Sequence, residues 1–194
     1  GEIILNEVHL SSPFAGGFNK PKIQWIDWDN DTDSDLFLLD EDGCIKYYEN
    51  KGFYNDEVNF KLISTCFQGI DNINWFYYAD YDSDLDYDLV TQDPDNLDQL
   101  IYYENNFGEL IYIGNIANLM NENISIQSVM TPTFIDIDND GDLDFFVGNI
   151  IGTISFYENH GFDDDKPILD LVTDFWQNIY IVGSSLNNRH GASA

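Results

Sequence analysis

The sequence is poor in basic residues, histidine and cysteine, and each shortage excludes a class of function. Of its 194 residues only 7 are Lys or Arg, against 36 Asp or Glu, so the formal net charge is −29 at pH 7. Nucleic-acid backbones and anionic membrane surfaces are bound through Lys and Arg, so neither is an expected partner. The 3 His and 2 Cys are too few and too scattered to indicate a zinc site. No apolar run approaches the roughly 20 residues of a membrane span, so membrane insertion is not expected.

The two cysteines, Cys44 and Cys66, leave two alternatives open. They can be buried free thiols, or they can form a disulfide. If the segments that carry them are the two arms of a hairpin, with Tyr47 paired to Ile63, the cysteines face each other within bonding reach. Two cysteines alone say little about the redox compartment.

What the sequence has in excess is aspartate at alternating positions. Three runs each carry five Asp residues, one at every second position. They are Asp27, Asp29, Asp31, Asp33 and Asp35; Asp80, Asp82, Asp84, Asp86 and Asp88; and Asp136, Asp138, Asp140, Asp142 and Asp144. Like charges so close together repel one another unless a cation neutralises them. Calcium takes about six to eight oxygen ligands and favours carboxylates, so the runs predict up to three calcium sites.

The Asp runs belong to a repeat of about 55 residues. The first Asp of each run lies at position 27, 80 or 136, and a Tyr/Phe-Tyr-Glu-Asn segment follows at 47–50, 102–105 and 156–159. Apolar, β-prone segments stand before and after each run, and a further one stands behind each Tyr-Glu-Asn segment. Each repeat therefore predicts four short strands, with the Asp run as the loop between the first and the second.

Repeats of this length and pattern are typical of β-propeller blades. We therefore predict an all-β protein in which residues 1–194 form one partial propeller. The predicted blades are 21–66, 73–116 and 130–174, with 1–20 and 175–194 as strands or lead-ins of neighbouring blades and 2–8 as a fourth strand. Closed propellers have about four to eight blades, so three blades are expected to belong to a larger ring or to close it by association. The alternative is an open stack of hairpins or a sandwich.

The third run and its surroundings resemble the calcium loop of FG-GAP/VCBS repeats, which occur in integrin α-chain propellers and in bacterial surface proteins. Residues 136–148 and the later segment 152–161 carry this resemblance, which extends over about residues 15–175. In that family, loop positions 1, 3, 5 and 9 bind calcium through side-chain oxygens, and position 7 binds it through the backbone carbonyl. The resemblance implies carboxylate ligands at these four positions of each run, and carbonyl ligands at Asp33, Asp86 and Asp142.

The three loops are expected to differ in affinity. Position 6 needs a sharp turn, for which Gly carries the least conformational cost. This residue is Thr32 in the first loop, Leu85 in the second and Gly141 in the third. A bulky residue at positive φ costs about 1–2 kcal/mol. We therefore expect the third loop to bind calcium most tightly and the second most weakly.

No catalytic motif accompanies the Asp runs. The metal loops account for every dense carboxylate cluster without a glycosidase pair, and neither a nucleophile motif nor a phosphate-binding Gly loop is present. The expected function is a non-catalytic, calcium-stabilised module of a secreted or cell-surface protein. It would serve adhesion or scaffolding through a protein or glycan ligand, because millimolar extracellular calcium suits such loops. Two alternatives stay open: a lectin-like propeller that binds carbohydrate through aromatic surfaces, and the accessory propeller of a secreted polysaccharide-active enzyme.

Overall fold

The structure confirms the predicted all-β class. It is a computed structural model that describes residues 3–5, 8–10, 17–126, 132–163 and 165–181, the first two ranges by their backbone alone. In these ranges every regular element is a strand except for two short 3-10 helices. No described helix has the length and apolar character needed to cross a membrane. The chain divides into an N-terminal unit, residues 1–72, and a C-terminal unit, residues 73–194.

The N-terminal unit contains a hairpin and one four-stranded antiparallel sheet. Strands β1 (Ile3–Leu5) and β2 (Val8–Leu10) pair with each other. Strands β3 (Lys22–Ile26), β4 (Asp35–Leu39), β5 (Ile45–Tyr54) and β6 (Glu57–Ser64) form the sheet in that order, and a 3-10 helix follows at Phe67–Gly69. The prediction of a single strand over residues 2–8 is wrong. Two short strands pair there instead, and each provides the other with backbone hydrogen bonds.

The C-terminal unit contains two four-stranded antiparallel sheets. The first consists of β7 (Phe76–Ala79), β8 (Asp88–Asp93), β9 (Asn96–Asn106) and β10 (Glu109–Asn115). The second consists of β11 (Pro132–Ile135), β12 (Asp144–Gly148), β13 (Ile154–Asp163) and β14 (Lys166–Thr173). All three sheets fall within the three predicted repeat ranges, and each Asp run connects the first two strands of its sheet. That the sheets are blades of a propeller stays a prediction.

The hairpin of β5 and β6 carries a bulge that changes the predicted register. Tyr47 pairs with Ser64, so the predicted pairing of Tyr47 with Ile63 is wrong by one residue, because the bulge inserts an extra residue into β6 at this point. Cys44 and Cys66 nevertheless form a disulfide just beyond the end of the paired strands, with their Cα atoms 4.8 Å apart. The disulfide decides between the two alternatives that the sequence left open.

The two sheets of the C-terminal unit share one hydrophobic core. At their junction, the ring centroid of Phe134 in β11 lies 5.1 Å from those of Tyr77 and Tyr81, which belong to the neighbouring repeat. The Tyr77 hydroxyl donates a hydrogen bond of 3.4 Å to the Phe134 carbonyl. Phe145 and Leu169 lie in the same core and have no exposed surface. Burial of such large apolar side chains stabilises the junction by about 1.5–3 kcal/mol for each side chain.

A 3-10 helix after the fourth strand closes the core of two of the sheets. In the N-terminal unit the ring of Phe67 lies 5.2 Å from that of Phe37. In the C-terminal unit Trp176, in a 3-10 helix at Trp176–Asn178, lies 5.1 Å from Phe146. The Gln that follows each aromatic residue adopts a left-handed φ, 50° in one case and 51° in the other. Most of the predicted lead-in at 175–194, from residue 182 onward, lies outside the described residues.

Candidate metal centres

Each Asp loop turns through two left-handed residues, at positions 4 and 6. At position 6 the φ angles are 79° for Thr32, 79° for Leu85 and 101° for Gly141, so the sharp turn expected there is confirmed. Position 4 is left-handed as well, with φ between 58° and 67° in the three loops. This second left-handed position was not predicted. Asn occupies it in two loops, and Asn is one of the few residues other than Gly that adopt this conformation readily.

Backbone hydrogen bonds to the loop carboxylates hold this path. Asp27, at position 1, accepts bonds from the N–H groups of Asp31 and Thr32, both at 3.0 Å. In the third loop Asp136 accepts a bond of 3.2 Å from the N–H of Gly141. The carboxylate at position 5 accepts a bond of 3.0 or 3.1 Å from the N–H at position 7 in all three loops. The backbone therefore curls around its own carboxylates and brings the alternating side chains together.

The carboxylates at positions 1, 3 and 5 converge in every loop. One oxygen from each of the three lies within 4.8 Å of an oxygen from the other two. The clusters are Asp27, Asp29 and Asp31; Asp80, Asp82 and Asp84; and Asp136, Asp138 and Asp140. Two ligands of one ion can be no farther apart than twice the metal–oxygen distance, which is about 2.3–2.6 Å for calcium. The spacing of each cluster therefore fits a single calcium ion.

The aspartates at position 9 are buried and link the loop to the third strand. Asp35, Asp88 and Asp144 are at most 2% exposed. One oxygen of each accepts a bond of 2.8–2.9 Å from the backbone N–H of the Asn in the Tyr-Glu-Asn segment. The other oxygen accepts the Tyr47 hydroxyl at 3.0 Å in the first sheet and the Tyr102 hydroxyl at 2.7 Å in the second. The structure thus assigns position 9 a role between strands, and its role as a calcium ligand stays a prediction.

The Asn of each Tyr-Glu-Asn segment was not predicted to contribute to the site, yet it joins the Asp loop to the third strand. Besides its backbone bond to position 9, Asn159 donates a side-chain bond of 3.1 Å to the Leu143 carbonyl at the end of the third Asp loop. Its side-chain oxygen accepts the N–H of Gly161 at 3.1 Å. Asn50 makes the equivalent bonds to Ser34 and Gly52. The recurrence of Asn with a following Gly was the available sequence signal.

Several loop carboxylate oxygens are buried without a hydrogen-bond partner. They are Oδ1 of Asp33 and of Asp86, both at position 7, and Oδ1 of Asp80 at position 1. A buried polar oxygen without a partner is costly, and a bound cation would satisfy it. The predicted ligand at position 7 was the backbone carbonyl. The buried Oδ1 atoms at position 7 in the first two loops make these side chains further candidate ligands.

The loops carry negative charge that no salt bridge neutralises within the described ranges. None of the fifteen aspartates forms a salt bridge with a Lys, Arg or His of the described ranges; the bridges of Lys20, Lys46 and Lys51 go to other acidic residues. Burial together with the neighbouring carboxylates raises the pKa of Asp86 to about 6. Burial raises the pKa of Asp88 to about 7. The repulsion among these groups is what a divalent cation would relieve.

Comparison with known proteins found no matching family model, no matching curated protein and no matching solved structure. The resemblance to FG-GAP/VCBS repeats stays a prediction that rests on the loop motifs and on their spacing.

Proposed function

We propose that this chain is a non-catalytic, calcium-stabilised β-repeat module of the FG-GAP/VCBS kind, whose sheets serve as blades of a propeller. The observation that carries the proposal is the convergence of three carboxylates in each of three equivalent loops, none of which forms a salt bridge within the described ranges. Coulomb repulsion among such groups is strong at these distances, so a bound cation gives the folded state a large advantage.

The role of the ion follows from the position of the loop. Each Asp loop connects the first two strands of a sheet, and its position 9 carboxylate accepts a hydrogen bond from the third strand. An ion bound at positions 1, 3 and 5 would therefore fix the shape of a loop that contacts three strands of the sheet. The free energy of ion binding would appear as free energy of folding.

The donor set favours calcium over other metals. All candidate ligands are oxygens, and no His or Cys lies within the clusters, so zinc is a poor match. Magnesium prefers few carboxylates and keeps several of its waters, whereas calcium accepts many carboxylates in flexible geometry. Five Asp residues in each loop suit calcium.

We place the module outside the cell, as a scaffold or an adhesion element. The Cys44–Cys66 disulfide is consistent with an oxidising compartment. Loops of moderate affinity are also occupied at the millimolar calcium levels found there. A glycan array tests the lectin alternative: a scaffold is expected to bind no glycan, and reproducible, saturable binding of one glycan class would favour the lectin.

Thermal unfolding with and without calcium tests the metal proposal. We expect millimolar calcium chloride to raise the melting temperature above that in excess EDTA by several degrees, and magnesium chloride to raise it less. The variant Asp138→Asn removes one charge from the third cluster and should lose part of the calcium-dependent increase. Asp95→Asn removes the same charge from an exposed turn outside the loops and serves as the matched control.

Calcium titration calorimetry on the same three proteins counts the sites and ranks them. Wild type and Asp95→Asn should bind alike, and Asp138→Asn should lose its tightest site. Identical melting curves in calcium and in EDTA, with no heat of binding, would refute the calcium proposal.

A further inference from the structure

The outer face of strand β3 exposes apolar side chains that a folded sheet normally buries. Ile23 and Trp25 lie two residues apart, so they point to the same side of the sheet. They are 54% and 50% exposed, and the ring of Phe60 in β6 lies 5.6 Å from that of Trp25. Together with Phe53 these residues form what we call the leading face of the N-terminal sheet. Contiguous apolar exposure of this kind marks an interaction surface.

The same positions are buried in the other two sheets. Trp25 lies two residues before the first Asp of its loop, and the residues at that position in the second and third repeats are Tyr78 and Phe134. They are 1% and 5% exposed, against 50% for Trp25. For Phe134 the structure shows what covers it: Tyr77 and Tyr81 of the preceding repeat, both at 5.1 Å. Within the C-terminal unit, the sheet of the second repeat therefore covers the leading face of the sheet that follows it.

The tip of the β5–β6 hairpin shows the same difference. Phe162, which follows the Gly161 turn of the third repeat, packs with its ring centroid 5.7 Å from that of Tyr102 in the preceding repeat and is 36% exposed. Phe53 stands at the equivalent position of the first repeat and is 78% exposed. On the first sheet, both the strand and the hairpin tip are thus more exposed than their equivalents on the third sheet.

The sheet of β11–β14 exposes the complementary face, which we call its trailing face. The residue just before the first Asp is buried in the first two repeats, where Ile26 is 3% and Ala79 is 8% exposed, but its equivalent Ile135 is 48% exposed. The residue just after that Asp behaves alike: Tyr81 is 2% exposed and Ile137 is 43% exposed. In the second repeat the residues that cover Phe134 lie on this same face of the sheet: Tyr81, just after the first Asp, and Tyr77, three residues before it.

We infer that the chain associates head to tail with a second copy of itself, the trailing face of β11–β14 in one copy packing against the leading face of β3–β6 in the other. The contact would repeat the junction that joins the two sheets of the C-terminal unit. It pairs two different surfaces, so the assembly either closes into a ring or extends into a chain. The inference goes beyond the proposed calcium function and uses none of the candidate ligands.

Sedimentation velocity over a range of protein concentrations tests this inference on the full chain. We expect wild type to shift from the monomer to larger species as its concentration rises. The shift should strengthen with added salt, because each copy carries a net charge of −29 and salt screens the repulsion. Trp25→Lys on the leading face and Ile135→Lys on the trailing face should each weaken association at least about tenfold. Met120→Lys places the same charge on an 81% exposed apolar residue outside both faces and should associate like wild type.

Mixing the two face variants provides the sharpest readout. Each retains one intact face, so an equimolar mixture of Trp25→Lys and Ile135→Lys should form a one-to-one complex although neither associates alone. A monomer at every concentration would overturn the inference, and so would association that survives both substitutions. The design also tests a contact between two leading faces: Ile135→Lys would then associate on its own like wild type, and Trp25→Lys would stay monomeric even in the mixture. Circular dichroism in the presence and absence of calcium shows whether each variant is folded, and Ile23→Lys and Ile137→Lys replace any variant that is not.

Discussion

Replacing Leu85 with Gly should stabilise the protein, although the substitution removes a large apolar side chain. Leu85 occupies position 6 of the second Asp loop at a φ of 79° and is 85% exposed, so its side chain contributes little burial. A non-glycine residue in this conformation costs about 1–2 kcal/mol. Gly costs about 0.5–1 kcal/mol through the greater freedom of the unfolded chain. The difference predicts a gain of about 0.5–1 kcal/mol in the free energy of unfolding.

Urea unfolding in EDTA, followed by circular dichroism, measures this gain without a contribution from bound metal. The reverse substitution, Gly141→Leu, should lower the free energy of unfolding by a similar amount. No atom lies within 4 Å of a Cβ added there, so only the backbone conformation disfavours the larger side chain. Leu119→Gly is the control, because Leu119 is 64% exposed and does not have a positive φ. This substitution should lower the free energy of unfolding by about 0.5–1 kcal/mol. If Leu85→Gly destabilises the protein as much as Leu119→Gly does, the strain assigned to position 6 is refuted.

Three further perturbations test other features of the fold. Reduction of the disulfide, whose cysteines are 22 residues apart, should lower the free energy of unfolding by about 3 kcal/mol, as measured by urea unfolding with and without reductant. In calcium-free buffer the stability should fall as the pH rises from about 4 to 7, because burial raises the pKa of Asp88 to about 7 in the folded state and its proton is held more tightly there than in the unfolded chain. Asp88→Asn should make this fall shallower, and an unchanged slope in urea midpoints across that range would contradict the assignment. Gly152→Ala should destabilise far more than Gly52→Ala: both residues have positive φ, but a Cβ on Gly152 would lie 2.1 Å from the Ile181 carbonyl oxygen, whereas nothing lies within 4 Å at Gly52.

The sequence could predict the features that arise from interactions between residues close together in the chain. Carboxylates at every second position converge because the loop backbone curls within a few residues, so the clusters at positions 1, 3 and 5 follow from the run itself. The turn at position 6 follows for the same reason, since Gly141 indicates it directly. The apolar, β-prone segments that recur around each Asp run likewise predicted the four strands of each sheet.

The parts that depend on distant residues were not predictable. Asp88 can be buried because the N–H of Asn105 and the hydroxyl of Tyr102, which lie 17 and 14 residues further along the chain, donate hydrogen bonds to it. The one-residue error at Tyr47 comes from a bulge, and a bulge leaves no mark in hydrophobic periodicity. The pairing of β1 with β2 was not predicted, because the apolar pattern of two three-residue strands cannot be distinguished from that of one longer strand.

The 3-10 helix that follows the fourth strand changes where one repeat ends and the next begins. Phe67 comes after β6 in sequence, yet it packs on Phe37 of the sheet that precedes it. A chain cut at the end of β6 would leave that core open, whereas a chain that ends after the 3-10 helix would keep it closed. Duplication of whole repeats during evolution would preserve a complete core only if its boundaries fell behind this aromatic residue. The segment that can be copied intact is therefore offset from the Asp-to-Asp period by which the repeat is recognised.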